Sequence, residues 1–417
     1  MLMIHVTKEY FNWYIDYVVY EKLKQYDNFY LLMKYNDGIH PISLLDSLRR
    51  LYKEKRIRKA TYKHILQSAH ASGLTPGEDS TDILPVPHIL DYDWRFSMQS
   101  IRHLYKKIRS DAPRKGTIVF LGTPSLWKYC ARLLPDRLQL ILIDINANKH
   151  LKGMKQTNIS GLDIDINKKS EILPKIYADI IIMDPPWYLN YYRLFFARAN
   201  EMTHYGTLIY CVMPPRFTRV KAQEETEELL VELSDQYGLE KVSYHTGDVT
   251  YHTPPFEKNV LRSHGIECLP PNWRIGDLLV VRKSSMGNGY DADLTIVEEQ
   301  WDEYSVDAIR IKVKREDEVL KSYAIHLVPL YKNNIYPSVK RSFSNKKNVN
   351  VWTSGNRVFW CDNIPLLNII LSQWGKPWID IEISEEDKKS IGEVQTLLEN
   401  IIETEMAEYG KDWRDYL

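Results

Sequence analysis

The sequence predicts an α/β protein: a mainly parallel sheet, preceded by a helical segment and followed by an α+β appendage. Three observations carry this reading. Between about residues 88 and 285, short apolar runs of β type alternate with runs of helical spacing, as expected for a parallel sheet covered on both faces. Residues 1–73 show only helical periodicity. From about 286 the pattern returns to alternating strand-like runs and closes on a long amphipathic stretch.

The N-terminal segment reads as helices. YFNWYIDYVVYEKLKQY carries apolar residues at helical spacing, and PISLLDSLRRLYKEKRI places Leu44, Leu45, Leu48 and Leu51 on one face, with Pro41 suited to a first turn. Residues 1–73 hold 12 basic and 7 acidic side chains, a net +5. Short helices with a basic outer face suggest a winged-helix-like module. The plainer reading is a helical domain on which Arg49, Arg50, Lys53 and Arg56 form a solvated face. Residues 74–87, inside the Gly-, Pro- and Ser-rich stretch SGLTPGEDSTDILPVP, read as a linker.

Within 88–285 the expected strands are TIVFL (117–121), LQLILID (138–144), the weaker LDIDI (162–166), DIIIMD (179–184) and TLIYCVM (207–213). EKVSYHTGDV and DLLVVRK would close the sheet as an antiparallel end. Helices are expected at PSLWKYCARLL, LNYYRLFFARANEM and AQEETEELLVELSDQYG. In 286–417 strands are expected at AIRIKVKR, SYAIHLVPLY and NRVFWC. A final helix starts at a Ser384 capping box and buries Ile391, Val394, Leu398, Ile401 and Ile402. Residues 379–417 carry 12 acidic and 4 basic side chains, a net −8, which suits an oligomer or protein-partner surface.

Composition narrows the function classes. With 417 residues, 44% hydrophobic and 26% charged, the chain is neither mainly disordered nor membrane-embedded. Lys plus Arg equals Asp plus Glu, so no global basic field holds nucleic acid, and any such binding must come from local patches. The first residues lack a basic segment followed by a long apolar run, and no stretch reaches the roughly 18 apolar residues of a membrane helix. Cys130, Cys211, Cys268 and Cys361 form no CxxC pair. A cytoplasmic protein without a thiolate metal site is expected, and no other metal is implied.

The sharpest signal is Asp184-Pro185-Pro186-Trp187, at the end of Ile181-Ile182-Met183. Consecutive prolines fix φ and remove two backbone donors, leaving carbonyls that only accept. Asp184 adds a carboxylate. Together they can hold an amino group by its N–H bonds and aim its lone pair at an electrophile. Trp187 offers a flat face for a planar ring, and Tyr188 beside it is a further substrate contact. The plain alternative is a strand stop, with Asp capping the next helix and Trp in the core. Position supplies a second signal, because ligands of open α/β sheets bind beyond the strand carboxyl ends where strand order reverses. If TIVFL is the central strand, Gly122 and Asp184 face one crevice. Thr123 borders it, and Asp144 ends the second strand where an acid can accept bonds from a ribose. The turn GTPSLW has one glycine, and GxGxxG is absent.

The run IIIMDPPW resembles the strand-plus-DPPY/W motif of S-adenosylmethionine-dependent amino-methyltransferases that act on nucleic acids, chiefly at adenine N6. The likeness spans about 115–285, with the cofactor-type strand preceding DPPW. It implies a Rossmann-like seven-stranded methyltransferase sheet and S-adenosyl-L-methionine as cofactor. It also implies an exocyclic amine as acceptor, with Asp184, Pro185, Pro186 and Trp187 catalytic and Gly122, Thr123 and Asp144 at the cofactor. The layout is also similar to branched-chain polyamine synthases, which are aminopropyltransferases, in Tyr92-Asp93, Leu126, Ile143-Asp144-Ile145-Asn146 and DPP followed by a helix. Their acidic GDDD-type loop is matched here by Gly122-Thr123-Pro124-Ser125, which has no acid. A non-catalytic degenerate scaffold is the third reading.

Other signals are weaker. Arg216, in Met213-Pro214-Pro215-Arg216, could meet a phosphate of the substrate. His252-Thr253-Pro254-Pro255-Phe256 could wall the site or form a rigid turn, and Tyr92-Asp93-Trp94-Arg95 could close over a ligand or pack between domains. The tract 332–348, rich in Lys and Arg, could touch a nucleic-acid backbone.

Overall fold

A computed structural model gives the structure, describing residues 7–70, 85–151, 153–166, 175–270, 272–288, 296, 299–316, 319–340, 348–376 and 384–409. They form two compact units, each built from several chain segments. The first takes its residues from 1–75, 95–252 and 268–297, the second from 76–94, 253–267 and 298–417. This division differs from four consecutive segments: the N-terminal helices share a unit with the sheet, and 253–267 cluster with the C-terminal part. Of the expected linker, only 85–87 are described.

The first unit opens with α1 (Lys8–Lys22), α2 (Phe29–Lys34), α3 (Pro41–Lys53) and α4 (Lys59–His70). Thr7 caps α1 by accepting from the Tyr10 N–H at 3.2 Å. Pro41 begins α3, which buries the four expected leucines. The described residues of 7–70 form helices and no strand, so no wing is built from them. Nor is the basic face wholly solvated. Arg50 donates two bonds, at 2.9 and 2.7 Å, to the buried carboxylate of Asp16 on α1.

The sheet follows α5 (Met98–Asp111). Its elements are β1 (Gly116–Leu121), α6 (Pro124–Leu133), β2 (Leu138–Asp144), α7 (Ala147–Leu151), β3 (Ile159–Asp163) and β4 (Ala178–Met183). Then come α8 (Leu189–Glu201), β5 (Thr203–Met213), α9 (Ala222–Tyr237), β6 (Leu239–Tyr251) and β7 (Arg274–Lys283). The strand order is β3-β2-β1-β4-β5-β7-β6, parallel except for β7, which runs antiparallel to both neighbours. This is the Rossmann-like seven-stranded sheet expected from the sequence. One face buries Val119, Ile181, Ile209 and Cys211 against Phe195 and Phe196 of α8 and Leu229 and Leu233 of α9. The third strand sits three residues earlier than LDIDI suggests. It pairs with β2 alone and is only half-buried, so it lacks the continuous apolar run that marks a central strand.

The second unit contains α10 (Pro255–Ser263) and an antiparallel sheet of β8 (Trp301–Val306), β9 (Ile309–Lys314), β10 (Leu327–Pro329), β11 (Val351–Thr353) and β12 (Val358–Cys361), ordered β10-β12-β11-β9-β8. Helices α11 (Ile364–Ser372) and α12 (Glu385–Tyr409) complete it. Ser384 Oγ accepts from the Asp387 N–H at 3.1 Å, and the five apolar residues expected on the buried face of α12 are buried. SYAIHLVPLY supplies only the three residues of β10. Trp94 packs edge-on against Phe256 in this unit, ring centroids 5.0 Å apart, which is a packing role for both signals. Residues 341–347 of the basic tract lie outside the described residues. Among the described residues no helix is long and apolar enough to cross a membrane, and no group of three His, Cys, Asp or Glu is placed to hold a metal.

Candidate active site at the carboxyl edge of the sheet

Strand order reverses between β1 and β4, and Leu121 pairs with Met183. The residues that follow, Gly122 and Asp184, therefore leave adjacent strands on either side of the switch point, where α/β sheets bind ligands. Ile143 accepts from the Gly122 N–H at 2.9 Å, so Asp144 ends the next strand along. The sequence-predicted trio thus stands at the ends of β2, β1 and β4.

The turn after β1 is built to approach a ligand closely. Gly122 has φ +66°, a left-handed conformation natural to glycine, and a Cβ there would meet nothing nearer than Phe195 at 3.7 Å. Thr123 precedes α6 but does not cap it. Its hydroxyl is buried with no hydrogen-bond partner. An orphaned hydroxyl beside a helix N-terminus and a bare glycine suits the polar end of a bound molecule. Asp144 closes a turn at the strand end, its Oδ1 accepting from the Asn146 N–H at 2.9 Å.

Asp184 is the electrostatic centre. Its residue keeps a partial opening to solvent while protein surrounds the carboxyl. Burial pushes its pKa from 3.8 up to about 7; hydrogen bonds from Tyr251 and Trp187 and the charge of Arg274 pull the other way and only partly offset it. The Tyr251 hydroxyl donates to Oδ1 at 2.8 Å. Pro185 is buried, and the Pro186 carbonyl is used by the Tyr188 N–H at 2.7 Å. Trp187 is held on several sides. Its carbonyl accepts from Arg219 Nε at 2.9 Å, its ring meets Tyr251 edge-on at 5.6 Å, and the Arg274 guanidinium lies 5.6 Å from the ring centre. Tyr188 immediately precedes α8, and the Arg219 guanidinium lies 5.4 Å from the Tyr188 ring centre.

Arg216 stands elsewhere on this edge. It donates to the Tyr14 hydroxyl at 2.8 Å and lies 4.4 Å from the Phe217 ring centre. It lines a cleft of about 450 Å³ with Asp37, Glu227, Tyr244, Ile275 and Asp277. Asp277 accepts from the Tyr244 hydroxyl at 2.9 Å and the Gly247 N–H at 2.8 Å, and burial raises its pKa. Along β7, side chains alternate between faces. Ile275 and Asp277 turn to the cleft, whereas Gly276 turns to Val212, Tyr251 and Trp187.

Sequence reasoning located Asp184 and its strand neighbours but missed Tyr251, Arg274 and Arg219. Tyr251 ends an alternating strand just before the HTPPF turn already singled out, and Arg219 follows Arg216 by three residues. Neither position has a motif of its own. Antiparallel β7 brings its first residues, with the last of β6, to the edge where β4 and β5 end.

No family model and no curated protein matches the sequence. Among solved structures, the chain is similar to the branched-chain polyamine synthase from Thermus thermophilus, solved in complex with N4-aminopropylspermidine and 5′-methylthioadenosine (TM-score 0.47, 13% identity, covering 67% of this chain and 91% of that one). It is also similar to a protein assigned as an RNA methyltransferase from Pyrococcus horikoshii (TM-score 0.34, 16% identity, 53% and 98%) and to one assigned as an rRNA methylase from Clostridium thermocellum (TM-score 0.32, 14% identity, 45% and 97%).

Proposed function

We propose that the sheet-bearing unit is an S-adenosylmethionine-dependent methyltransferase acting on an amino group, with the exocyclic amine of a nucleic-acid base, adenine N6, as the favoured target. The observation that carries this reading is Asp184: a carboxyl with a pKa near neutrality, on a proline-stiffened corner, beside the switch point. Gly122, Thr123 and Asp144 would hold the cofactor, whose sulfonium supplies an electrophilic methyl group when bound. The remaining work falls to this chain. Asp184 accepts an N–H of the incoming amine and then its proton, a transfer suited to an acid whose pKa lies near the working pH. Pro185 and Pro186 fix the corner. Tyr251, Trp187 and Arg274 hold the carboxylate and part of its charge in place. A base in a duplex would have to leave the stack to reach this corner.

The acidic cleft favours a second reading, aminopropyl transfer to a polyamine from decarboxylated S-adenosylmethionine. Asp37, Glu227 and Asp277 would meet a cationic chain, while Arg216 opposes it. Calorimetry with S-adenosylmethionine, S-adenosylhomocysteine and decarboxylated S-adenosylmethionine separates the readings. Methyl transfer requires binding of the first two, aminopropyl transfer requires preference for the third, and binding of none leaves a scaffold.

A further inference from the structure

One face of α1 carries Tyr10, Trp13, Tyr14 and Tyr17, spaced three and four residues apart so that they form a stripe. The helix is anchored through its other side, where Ile15, Asp16 and Val19 are buried. Tyr10, Trp13 and Tyr17 are 52%, 56% and 47% exposed. Side chains of this size are normally spent on cores, so three of them half-exposed in one row mark a binding surface.

The rings form a continuous array. Tyr10 and Trp13 lie 5.7 Å apart, Trp13 and Tyr17 lie 6.3 Å apart at 19°, and Tyr14 and Tyr17 lie 6.4 Å apart at 16°. Arg216 closes the Tyr14 side, its guanidinium 5.3 Å from that ring centre. The stripe therefore runs to the residue that lines the cleft beyond β5. The exposed positions are aromatic rather than aliphatic, and cations flank the row: Arg216 at Tyr14, and Lys24 and Arg56 over the Tyr20 ring one turn beyond Tyr17, at 5.3 and 4.9 Å. Flat rings flanked by cations match bases joined by a phosphate chain.

We propose that this stripe is a stacking platform for unpaired bases of a single-stranded nucleic acid, leading the strand to the carboxyl edge of the sheet. The inference rests on the nucleic-acid reading of the active site. It assigns Tyr10, Trp13 and Tyr17 to base stacking and Arg216 to the junction with the cleft.

The test uses the full chain and fluorescence anisotropy with a labelled mixed-sequence oligonucleotide of about 12 nucleotides, as a single strand and as a duplex, since stacking of this kind engages unpaired bases. The single strand should bind more tightly and quench tryptophan emission. Trp13→Ala should weaken binding about 10-fold and abolish most of the quenching, and Trp13→Phe should restore most of the affinity. Unchanged binding by the triple variant Tyr10→Ala/Trp13→Ala/Tyr17→Ala would overturn the proposal, as would a dimer in sedimentation that Trp13→Ala dissolves. Label transfer from radioactive S-adenosylmethionine to the same oligonucleotide tests the underlying reading separately. Transfer that persists with intact binding in the triple variant sinks only the platform, and absence of both binding and transfer to any nucleic acid sinks both.

Discussion

Tyr251 donates its hydroxyl to Asp184 across 2.8 Å, although β5 and β7 separate their strands in the sheet. The contact ties the carboxyl at the centre of the candidate site to the far edge of the fold. It also means that one oxygen of Asp184 already has a protein donor, so an incoming amine would share the carboxylate with Tyr251.

Asp184→Ala should lower transfer by at least about 100-fold, the scale of removing a group that stabilises charge developing in a transition state. Donor affinity, measured by calorimetry, should stay within a few-fold. Full turnover by this variant in a label-transfer assay would rule out the proposed role.

The raised pKa of Asp184 has two pH signatures. Transfer should rise as pH passes through about 7, where the carboxyl ionises. In Tyr251→Phe the midpoint should move higher, because the lost hydrogen bond had favoured the ionised form. Stability runs the other way. Between 3.8 and about 7 the folded chain holds a proton that the unfolded chain has released, so stability falls as pH climbs through that window, and the penalty is complete above it. The ceiling is roughly 4 kcal/mol, so Asp184→Asn should be the more stable protein at pH 8 by about 1–3 kcal/mol and lose that advantage by pH 4. Chemical denaturation at both values checks the sign.

Gly276 leaves room where a methyl group would not fit. A Cβ there would lie 2.7 Å from Val212 Cγ1, 3.3 Å from Tyr251 Cε2 and 3.5 Å from Trp187 Cζ2. Gly276→Ala should cost about 1–3 kcal/mol by overpacking. It should also lower transfer more than a neutral β7 substitution of equal stability cost, since two of the three displaced side chains bond to Asp184. Thermal melts paired with initial rates separate the two effects.

Arg50→Ala should destabilise the fold by about 2–4 kcal/mol by leaving the Asp16 carboxylate buried without its bidentate partner. Arg49→Ala, whose contact with Asp46 is exposed, should change stability by under about 1 kcal/mol. Equal melting curves for the two variants would refute this contrast.

The central strands were legible because buried parallel strands must be apolar along their whole length. TIVFL, LQLILID and DIIIMD could hardly be anything else. The third strand was placed late because Ile159–Asp163 lies at an edge and mixes Ser, Gly and Asp among its apolar residues. The helices of 8–70 followed from their periodicity, but which arginine is internal depends on Asp16 of a different helix. At the site, the DPPW corner is local chemistry and could be read from the chain. Tyr251 and Arg274 reach it through a late antiparallel pairing that no short motif records. Arg216 meets Tyr14, a contact between residues 202 positions apart that no local pattern signals.

An Asp184 carboxyl that burial pushes up to about 7 would also make the site a proton-linked binder. A cationic donor settling beside this acid would draw it into its anionic form, so uptake near neutrality should expel protons into the buffer. The heat of binding would then vary with the buffer's own ionisation enthalpy, and affinity would tighten by no more than a few-fold as the medium turns alkaline. In that way the carboxyl that burdens folding would help select for positive charge in whatever settles next to it.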